Sequence, residues 1–332
     1  RKRGRPQAKR AYIRASPRGL GLESAGRADV ASFGLRSIAH PRSAGTRTVA
    51  PHLYALEEFG LDVVATTGHY EVTVKKKPAG RVVLYEAGDT VTENALMAAA
   101  RTEGETVIEF GTSNYMVQDV AFFLRKLGVK VEFGRGTSIK VVGVPHIKKN
   151  VTYSPAEDPI EAMFFVSAAL TTNSKITIRR VPIQFMSLEL LKLKKMGAKI
   201  DVSDRYKALN GQTDLVDLTV HKHDGELRAL TEKIHSSAYP GINADNLPYF
   251  VPIAGVARGR TLIHDWMYEN RAIYYTEMTK VGMQVELADP HRLYIQGPSK
   301  FSKADVVCPP ALRPASLLLI GMLAANGIST LR

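Results

Sequence analysis

The chain has 332 residues, of which 45% are hydrophobic and 23% charged. These proportions are typical of a soluble globular protein large enough for two domains. The longest apolar run, residues 315–325, is too short to span a bilayer, and nothing at the start marks secretion, which argues against a membrane role. Since Cys308 is the single cysteine, an internal disulfide is excluded and we expect a cytoplasmic protein.

The net charge of +13 comes mostly from the beginning of the chain. Residues 1–50 carry twelve Lys or Arg against Glu23 and Asp29, a net of +10, which leaves +3 for the rest. Residues 1–43 therefore read as a basic, irregular segment. Its start, RKRGRPQAKR (1–10), resembles a minor-groove DNA-binding arm and is the only hint of a nucleic-acid partner, which the nearly neutral body makes unlikely; the alternative is a solvated tail.

A repeated pattern then runs along the chain. Four segments each read as an amphipathic helix, a glycine and two short strands, and their glycines are Gly60, Gly128, Gly197 and Gly282. Glycine ends a helix well because it adopts the left-handed conformation without a Cβ clash. After Gly128, apolar and charged residues alternate, which predicts a strand.

A second pattern precedes the second, third and fourth of these helices, and a further copy of it follows the last one. It is an alanine-rich helix, a tight turn and a strand, as in MAAARTEGETVIE, VSAALTTNSKITI, PIAGVARGRTLIH and GMLAANGISTLR. Together the two patterns make a unit of roughly 68 residues, read as helix–strand–helix–strand–strand, which predicts an α/β (α+β) protein; the alternative is chance recurrence. The last copy lacks its second half and the first lacks its first half, so we expect a chain cut at its C-terminus and cut or scrambled at its N-terminus.

Several stretches from about residue 45 onward resemble the enolpyruvyl transferase family, and within it the branch that acts on UDP-N-acetylglucosamine. In chain order they are AGTRTVAPHLYALEEFG (44–60), TENALMAAARTEGETVIE (92–109), YPGINADNLPYF (239–250), YENR (268–271) and ALRPASLLLIGMLAANG (311–327). The resemblance implies two inside-out α/β barrel domains, both incomplete, with substrates in the cleft between them. Residues 44–148 would be the nucleotide-sugar side and residues 149–332 the second domain.

The activity implied by this resemblance is transfer of the enolpyruvyl group of phosphoenolpyruvate to the 3-hydroxyl of UDP-N-acetylglucosamine. In the family this reaction commits the sugar to peptidoglycan synthesis, and so to cell-wall biogenesis, cell shape and cell division. It needs a base for the hydroxyl proton, an acid for the methylene carbon, and cations for the carboxylate and phosphates. No cofactor and no metal is expected.

The resemblance also implies roles for single residues. Asp245 matches the family's catalytic aspartate; the alternative is an N-cap for a helix beginning at Asn246. Arg271 and Arg313 match arginines that face the anionic substrates. The remaining substrate-binding candidates are Arg14, Arg47, Thr48, Val49 and His52 on the nucleotide sugar, Gly88 and Asp89 at a diphosphate turn, and Met267 at a backbone contact to the sugar.

For several of these candidates the residues alone offer a simpler interpretation. A single Arg in a loop, such as Arg47, is typical of a solvated surface charge, and Met267 is equally typical of a core methionine.

The chain departs from the family at two important places. The stretch AHPRSAGTR (39–47) has neither the family's cysteine acid nor an aspartate, and Arg42 or Ser43 stands there instead. Ala311 replaces the aspartate of the Asp-Leu-Arg motif. A shifted reading frame before about residue 44 would explain the first departure, and a paralogue with a redesigned loop is its rival.

These departures leave three alternatives to the transferase on the nucleotide sugar. One is a catalytically inactive nucleotide-sugar-binding paralogue, which the missing acid favours. Another is an enzyme like 5-enolpyruvylshikimate-3-phosphate synthase, against which the segment GTRTVAPH (45–52) argues. The third is a DNA-binding protein that uses the basic arm.

Overall fold

The computed structural model describes residues 10–14, 49–66, 69–75, 77–78 and 80–332. The chain divides into two compact units between Tyr153 and Ser154. The sequence places the division between residues 148 and 149. No helix among the described residues is long and apolar enough to cross a membrane.

The first unit is built on two sheets. Strand order is β1-β3-β2 in the three-stranded antiparallel sheet and β4-β5-β7-β6 in the other, where only the β4–β5 pair is parallel. The helices are α1 (Ala50–Glu57), α2 (Asp89–Arg101) and α3 (Tyr115–Lys126). The strands are β1 (Arg10–Arg14), β2 (Leu61–Thr66), β3 (His69–Val74), β4 (Arg81–Val83), β5 (Gly104–Glu109), β6 (Lys130–Phe133) and β7 (Ile139–Gly143).

The core of this unit follows from the alanine-rich helix. Ala95, Leu96 and Ala99 on α2 are completely buried, as is Val141 on β7. Small alanine side chains allow the helix to lie close to the sheet. The position of α2 therefore fixes its N-terminal end, where two of the predicted substrate-binding residues, Gly88 and Asp89, lie.

The second unit contains two four-stranded sheets and a parallel two-stranded pair. Their orders are β10-β11-β8 with β9 also on β11, β12-β13-β15-β14, and β16-β17. The helices are α4 (Pro159–Thr171), α5 (Ser187–Lys195), α6 (Phe250–Val256) and α7 (Leu312–Ala324). The strands are β8 (Ile176–Pro182), β9 (Ile200–Val202), β10 (Tyr206–Lys207), β11 (Asp214–Val220), β12 (Ile234–His235), β13 (Gly259–His264), β14 (Gln284–Asp289), β15 (Arg292–Gly297), β16 (Asp305–Val306) and β17 (Thr330–Leu331).

All four glycines predicted to end helices adopt the left-handed conformation. Their φ angles are 86° at Gly60, 98° at Gly128, 95° at Gly197 and 92° at Gly282. Residues with a Cβ reach this region only with strain, so the glycines set the boundary between each helix and the strand that follows. The predicted repeat is confirmed at these positions.

The fourth helix of the repeat differs from the prediction. Residues Arg271–Val281 form a 3₁₀ helix rather than an α-helix. Within it, the Thr276 hydroxyl donates to the Ile273 carbonyl at 2.6 Å and the Thr279 hydroxyl donates to the Thr276 carbonyl at 2.8 Å. Hydroxyl bonds to carbonyls three residues back support the tighter helix, and the amphipathic pattern alone does not reveal them.

Each unit contains, within itself, a similar close approach between a strand end and a helix end. A Cβ at Gly143, which ends β7, would overlap the carbonyl oxygen of Thr102 just after α2. A Cβ at Gly297, which ends β15, would overlap the carbonyl oxygen of Ala257 just after α6. The same strand end therefore packs against the same helix end in both copies.

Candidate functional site

Asp245 lies between two arginines of the second unit. Its Oδ1 is 3.2 Å from Nη1 of Arg271, and its Oδ2 is 3.4 Å from Nη2 of Arg313. The Asp245 side chain is 32% exposed. Two guanidinium groups thus converge on one carboxylate that solvent, or a substrate, still reaches.

The alternative interpretation of Asp245 as a helix cap is wrong. The helical stretch begins with a 3₁₀ helix, Leu247–Tyr249, and Asn246 occupies the capping position without forming a side-chain cap. The backbone N–H of Asp245 donates to Oδ1 of Asn243 at 2.8 Å, which shapes the turn before the helix. The carboxylate is therefore directed at the arginines and not at the helix.

Arg271 is buried and almost fully engaged. Its Nε and Nη2 donate to the two carboxylate oxygens of Asp265 at 2.6 and 2.9 Å, and Nη2 also donates to the carbonyl of Ala244 at 2.6 Å. The ring of Tyr268 stacks on the guanidinium, with 4.1 Å between Cζ and the ring centroid. Arg271 therefore holds protein groups with most of its donors.

The buried charges of Arg271 and Asp265 are tolerated in the protein interior because they compensate each other. Asp265 is completely buried, and it accepts a further hydrogen bond of 2.5 Å from the Tyr275 hydroxyl to Oδ2. Burial raises the pKa of Tyr275 well above its usual value, so the phenol keeps its proton and donates. Burial alone would lower the pKa of Arg271. Its interactions with Tyr275 and Asp265 outweigh burial, and the pKa is raised overall.

Arg313 is engaged more loosely. It lies in the first turn of α7, and its side chain is 21% exposed. Its Nη1 is 3.5 Å from the Tyr249 hydroxyl, and both this contact and the one to Asp245 are long for charge-assisted hydrogen bonds. A guanidinium with long contacts and some exposure is suited to receive an anion.

A buried glutamate supports the loop that carries Asp245. Glu189 on α5 is 2% exposed, and its Oε1 accepts from Nδ2 of Asn246 at 2.9 Å and from the N–H of Asn243 at 3.3 Å. Burial raises the pKa of Glu189, and the hydrogen bond from Asn246 opposes that shift. One carboxylate thus holds residues on both sides of Asp245.

Sequence reasoning missed Asp265, Tyr275 and Glu189. Asp265 directly follows β13, six residues before Arg271, and an acid just after an apolar strand near a predicted substrate arginine was a usable signal. Glu189 stands between two leucines in an amphipathic helix, where its burial depends on a loop 57 residues away.

The predicted nucleotide segment is described only in part. Arg47 and Thr48 lie outside the described residues, as do Arg42 and Ser43 of the departing loop. Arg14 ends β1, where its backbone pairs with His69. Val49 precedes α1, and Nδ1 of His52 lies 2.7 Å from Nδ2 of the buried Asn94. Burial lowers the pKa of His52.

Gly88 and Asp89 form the turn into α2. The N–H of Gly88 donates to the carbonyl of Glu86 at 2.9 Å. Asp89 accepts from the Thr112 hydroxyl at 2.6 Å and from Nδ2 of Asn114 at 2.7 Å. These bonds fix the turn with protein groups, and its role as a diphosphate site stays a prediction.

Met267 and Cys308 are both at the surface. Met267 is 36% exposed, so the alternative interpretation of a core methionine is wrong. It follows Trp266, whose Nε1 donates to the carbonyl of Ser236 at 2.7 Å. Cys308 is an exposed free thiol. Among the described residues, no three His, Cys, Asp or Glu side chains are grouped so that they could hold a metal.

Comparison with known proteins identifies the family. A model of the EPSP synthase (3-phosphoshikimate 1-carboxyvinyltransferase) family matches residues 41–331. The chain is 28% identical over 298 residues to UDP-N-acetylglucosamine 1-carboxyvinyltransferase 2 of Clostridium tetani, covering 89% of this chain and 67% of the relative. It is 29% and 28% identical to the UDP-N-acetylglucosamine 1-carboxyvinyltransferases of Gloeobacter violaceus and Bradyrhizobium diazoefficiens, covering 86% of this chain in both cases and 59% and 64% of those relatives.

Solved structures show the same fold. The enolpyruvyl transferase NikO from Streptomyces tendae matches with a TM-score of 0.73 at 22% identity, over 86% of this chain and 67% of that one. An EPSP synthase from Acinetobacter baumannii matches with a TM-score of 0.65 at 20% identity, over 87% of this chain and 67% of that one. The predicted α/β fold of repeated helix–strand units is confirmed. Because the family match covers most of the chain, the protein belongs to the EPSP synthase family of enolpyruvyl transferases.

Proposed function

We propose that this protein transfers the enolpyruvyl group of phosphoenolpyruvate to the 3-hydroxyl of UDP-N-acetylglucosamine and releases phosphate. The observation that carries the proposal is Asp245, a half-buried carboxylate set between Arg271 and Arg313. The names of three relatives, at 28–29% identity, support the choice of acceptor. The chain spans only about two thirds or less of those relatives, so the activity of the whole protein is part of the proposal.

In this mechanism Asp245 acts as the general base. The sugar hydroxyl gives its proton to the exposed edge of the carboxylate while its oxygen forms a bond to C2 of phosphoenolpyruvate, the C2–C3 double bond opens and C3 takes a proton from a general acid. Phosphate then leaves C2 and a proton leaves C3, which restores the double bond in the product. A positioned base of this kind contributes about 10²–10⁴-fold in rate. Arg313, with its long contacts, binds the phosphate or carboxylate of phosphoenolpyruvate, because a planar guanidinium offers two parallel donors to such an anion.

Arg271 has a different role in the proposal. Three of its hydrogen bonds go to Asp265 and Ala244, and only Nη1 reaches Asp245. Its charge therefore stabilises the anionic site from behind, and its geometry keeps Asp245 in place. The remaining first-unit candidates, His52, Gly88 and Asp89 among them, are proposed to contact the nucleotide sugar.

A second candidate function follows from the sequence of residues 39–47. Protonation of the methylene carbon needs an acid, and AHPRSAGTR contains neither cysteine nor aspartate. Ala311, next to α7, likewise stands where the family has an aspartate. These two departures favour a protein that binds the nucleotide sugar without turning it over.

Shikimate 3-phosphate is the alternative acceptor to the nucleotide sugar. The matched family is described by 3-phosphoshikimate, and two of the solved neighbours are EPSP synthases. Against this, GTRTVAPH (45–52) resembles a nucleotide-sugar segment, and a shikimate enzyme has no nucleotide to bind. As one cysteine suits a reducing compartment, we place the reaction in the cytoplasm.

Phosphate release tests these candidates together. The purified chain is given phosphoenolpyruvate with either UDP-N-acetylglucosamine or shikimate 3-phosphate, and binding of each acceptor is measured by calorimetry. We expect phosphate release with the nucleotide sugar. Nucleotide-sugar binding without phosphate release would establish the binding protein instead, and release only with shikimate 3-phosphate would replace the acceptor.

Asp245→Asn tests the base. We expect kcat to fall by about 10²–10⁴-fold with KM for both substrates changed little, because the amide accepts no proton at neutral pH. The control is Asp201→Asn, which alters an exposed contact with Nε2 of His221 at 2.7 Å in the same unit. Equal activity in the two variants would remove Asp245 from the mechanism.

A further inference from the structure

We infer that Asp265 is a positioning residue for Asp245, acting through the guanidinium of Arg271. For its effect on turnover the inference rests on the proposed function, whereas the physical link between the two aspartates does not. Asp265 is completely buried, and its carboxylate bonds to Arg271 and Tyr275 rather than to Asp245. Its influence on the site therefore passes through the arginine.

The first link fixes Asp265. Its backbone N–H donates to the carbonyl of His291 at 2.8 Å, which holds the residue at the end of β13 against the loop between β14 and β15. Its carboxylate then accepts from Nε and Nη2 of Arg271 and from the Tyr275 hydroxyl, all within 2.9 Å. A carboxylate with three charge-assisted or phenolic donors and no exposure has one orientation.

The second link runs from Arg271 to the loop. Two donors on Nε and Nη2 face Asp265, so the guanidinium plane is set by that pair. The remaining edge of the same plane then meets Asp245, with Nη1 3.2 Å from Oδ1, while Nη2 also binds the Ala244 carbonyl at 2.6 Å. Tyr268 stacks on one face and limits rotation out of this plane.

These two links indicate that Arg271 does more than neutralise the charge of Asp265, because it also orients Asp245. A guanidinium that only balanced the charge of Asp265 would need the Nε edge and nothing more. Here the buried Asp265 orients the planar guanidinium of Arg271, which in turn orients the half-exposed Asp245. Arg271 does so through a bond to the Asp245 side chain and through a bond to the Ala244 carbonyl before it. Small displacements of a reacting group, about 1 Å, can cost about 10²-fold in rate.

A double-substitution cycle tests the link without any need for turnover. The variants are Asp265→Asn, Asp245→Asn and the double variant, and the Tm of each is measured. If Asp265 holds Arg271 against Asp245, the Tm loss of the double variant differs from the sum of the two single losses, because the residues share one network. Because Asp265→Asn can prevent folding, the milder Tyr275→Phe, which removes only one donor to Asp265, provides a second cycle with Asp245→Asn.

Kinetics then test the consequence. We expect Tyr275→Phe, and Asp265→Asn where it folds, to lower kcat by roughly 10–100-fold while KM stays within about twofold. Asp201→Asn is the control in both measurements, since its side chain is 77% exposed and pairs with His221 rather than with Asp265 or its partners. A purely structural role would lower the Tm without moving kcat.

The outcomes separate this inference from the proposed function. Additive Tm losses in both cycles, or an unchanged kcat in a folded Tyr275→Phe or Asp265→Asn variant of an active protein, would overturn the positioning role. Non-additive losses in a chain that releases no phosphate would support the link and remove the proposed reaction. Non-additive losses together with a reduced kcat support both.

Discussion

A group of carboxylates on α2 and α3 of the first unit, Asp89, Glu93 and Asp119, act on one another, whereas Asp245 and Asp265 of the second unit face arginines. Burial first, and then the charges of Asp89 and Asp119, together raise the pKa of Glu93 to about 7. In the second unit Asp245 instead lies within 3.4 Å of two guanidinium groups, those of Arg271 and Arg313. The same repeated fold thus carries two different electrostatic environments.

The difference lies in which groups hold each carboxylate and in which charges remain available. Asp89 is held by neutral donors, the Thr112 hydroxyl and the Asn114 amide, which satisfy a carboxylate without attracting another anion. Arg313 keeps only long contacts, so its charge is still available. We therefore expect anion chemistry in the second unit and mainly neutral hydrogen bonding around α2.

The largest expected effect separates the two arginines of the second unit. Arg271→Ala leaves Asp265 buried without its partner, so the free energy of unfolding should fall by about 3–5 kcal/mol. Arg313→Ala removes a partly exposed charge with long contacts and should cost about 1 kcal/mol or less. Urea unfolding measures both, and similar losses would show that the two arginines are not divided into a structural and a binding role.

The second effect is pH-dependent stability from Glu93. Its folded pKa of about 7 lies above the usual 4.5, so both states are protonated in acid. As pH rises from about 4.5 to about 7, the unfolded state loses its proton first and stability falls. Glu93→Gln removes this penalty. After allowance for partial exposure, we expect a gain of about 1–2 kcal/mol near pH 8 and none near pH 4.

Thermal or urea unfolding at several pH values measures the effect of Glu93→Gln. The control is Glu109→Gln in the same unit, since the hydrogen bond from Arg81 lowers the pKa of Glu109 and predicts no gain at high pH. Parallel pH curves for the wild type and Glu93→Gln would contradict the picture of mutually repelling carboxylates in the first unit.

The smallest effect tests the neutral donors of the first unit. Asn114 caps α3 by accepting from the N–H of Tyr115, and it also donates to Asp89. Asn114→Ala should lower the free energy of unfolding by about 1 kcal/mol, the usual cost of a lost cap. The exposed Asn150 provides a matched Asn→Ala control, expected within about 0.5 kcal/mol of the wild type. A loss of unfolding free energy well above about 1 kcal/mol would show that the hydrogen bond from Asn114 to Asp89 also stabilises the unit.

Local features of this fold were predictable from sequence. Gly60 and Gly197 end helices because glycine adopts the left-handed backbone angle without a Cβ clash, and neighbours in the chain suffice to show it. The helix of Arg271–Val281 was assigned correctly in place but not in type, since its threonine bonds are a matter of side-chain rotamers.

The site was predictable only as far as single residues. The motifs placed Asp245, Arg271 and Arg313 in it, but they did not show how these side chains meet. Asn270, directly before Arg271, has a φ of 59°, and no sequence pattern predicted this turn or the pairing of Arg271 with Asp265. The support from Glu189 depends on tertiary packing across the unit and has no local signature.

Trp266 gives the site its own optical signal. It is the single tryptophan of the chain, is 51% exposed, and follows Asp265 directly. Its indole N–H donates to the Ser236 carbonyl at 2.7 Å, and Tyr268, two residues later, stacks on Arg271. Fluorescence excited at wavelengths where the thirteen tyrosines absorb little therefore comes from Trp266, and it reports solvent exposure and motion around this residue. A titration with phosphoenolpyruvate can be followed there with no attached label.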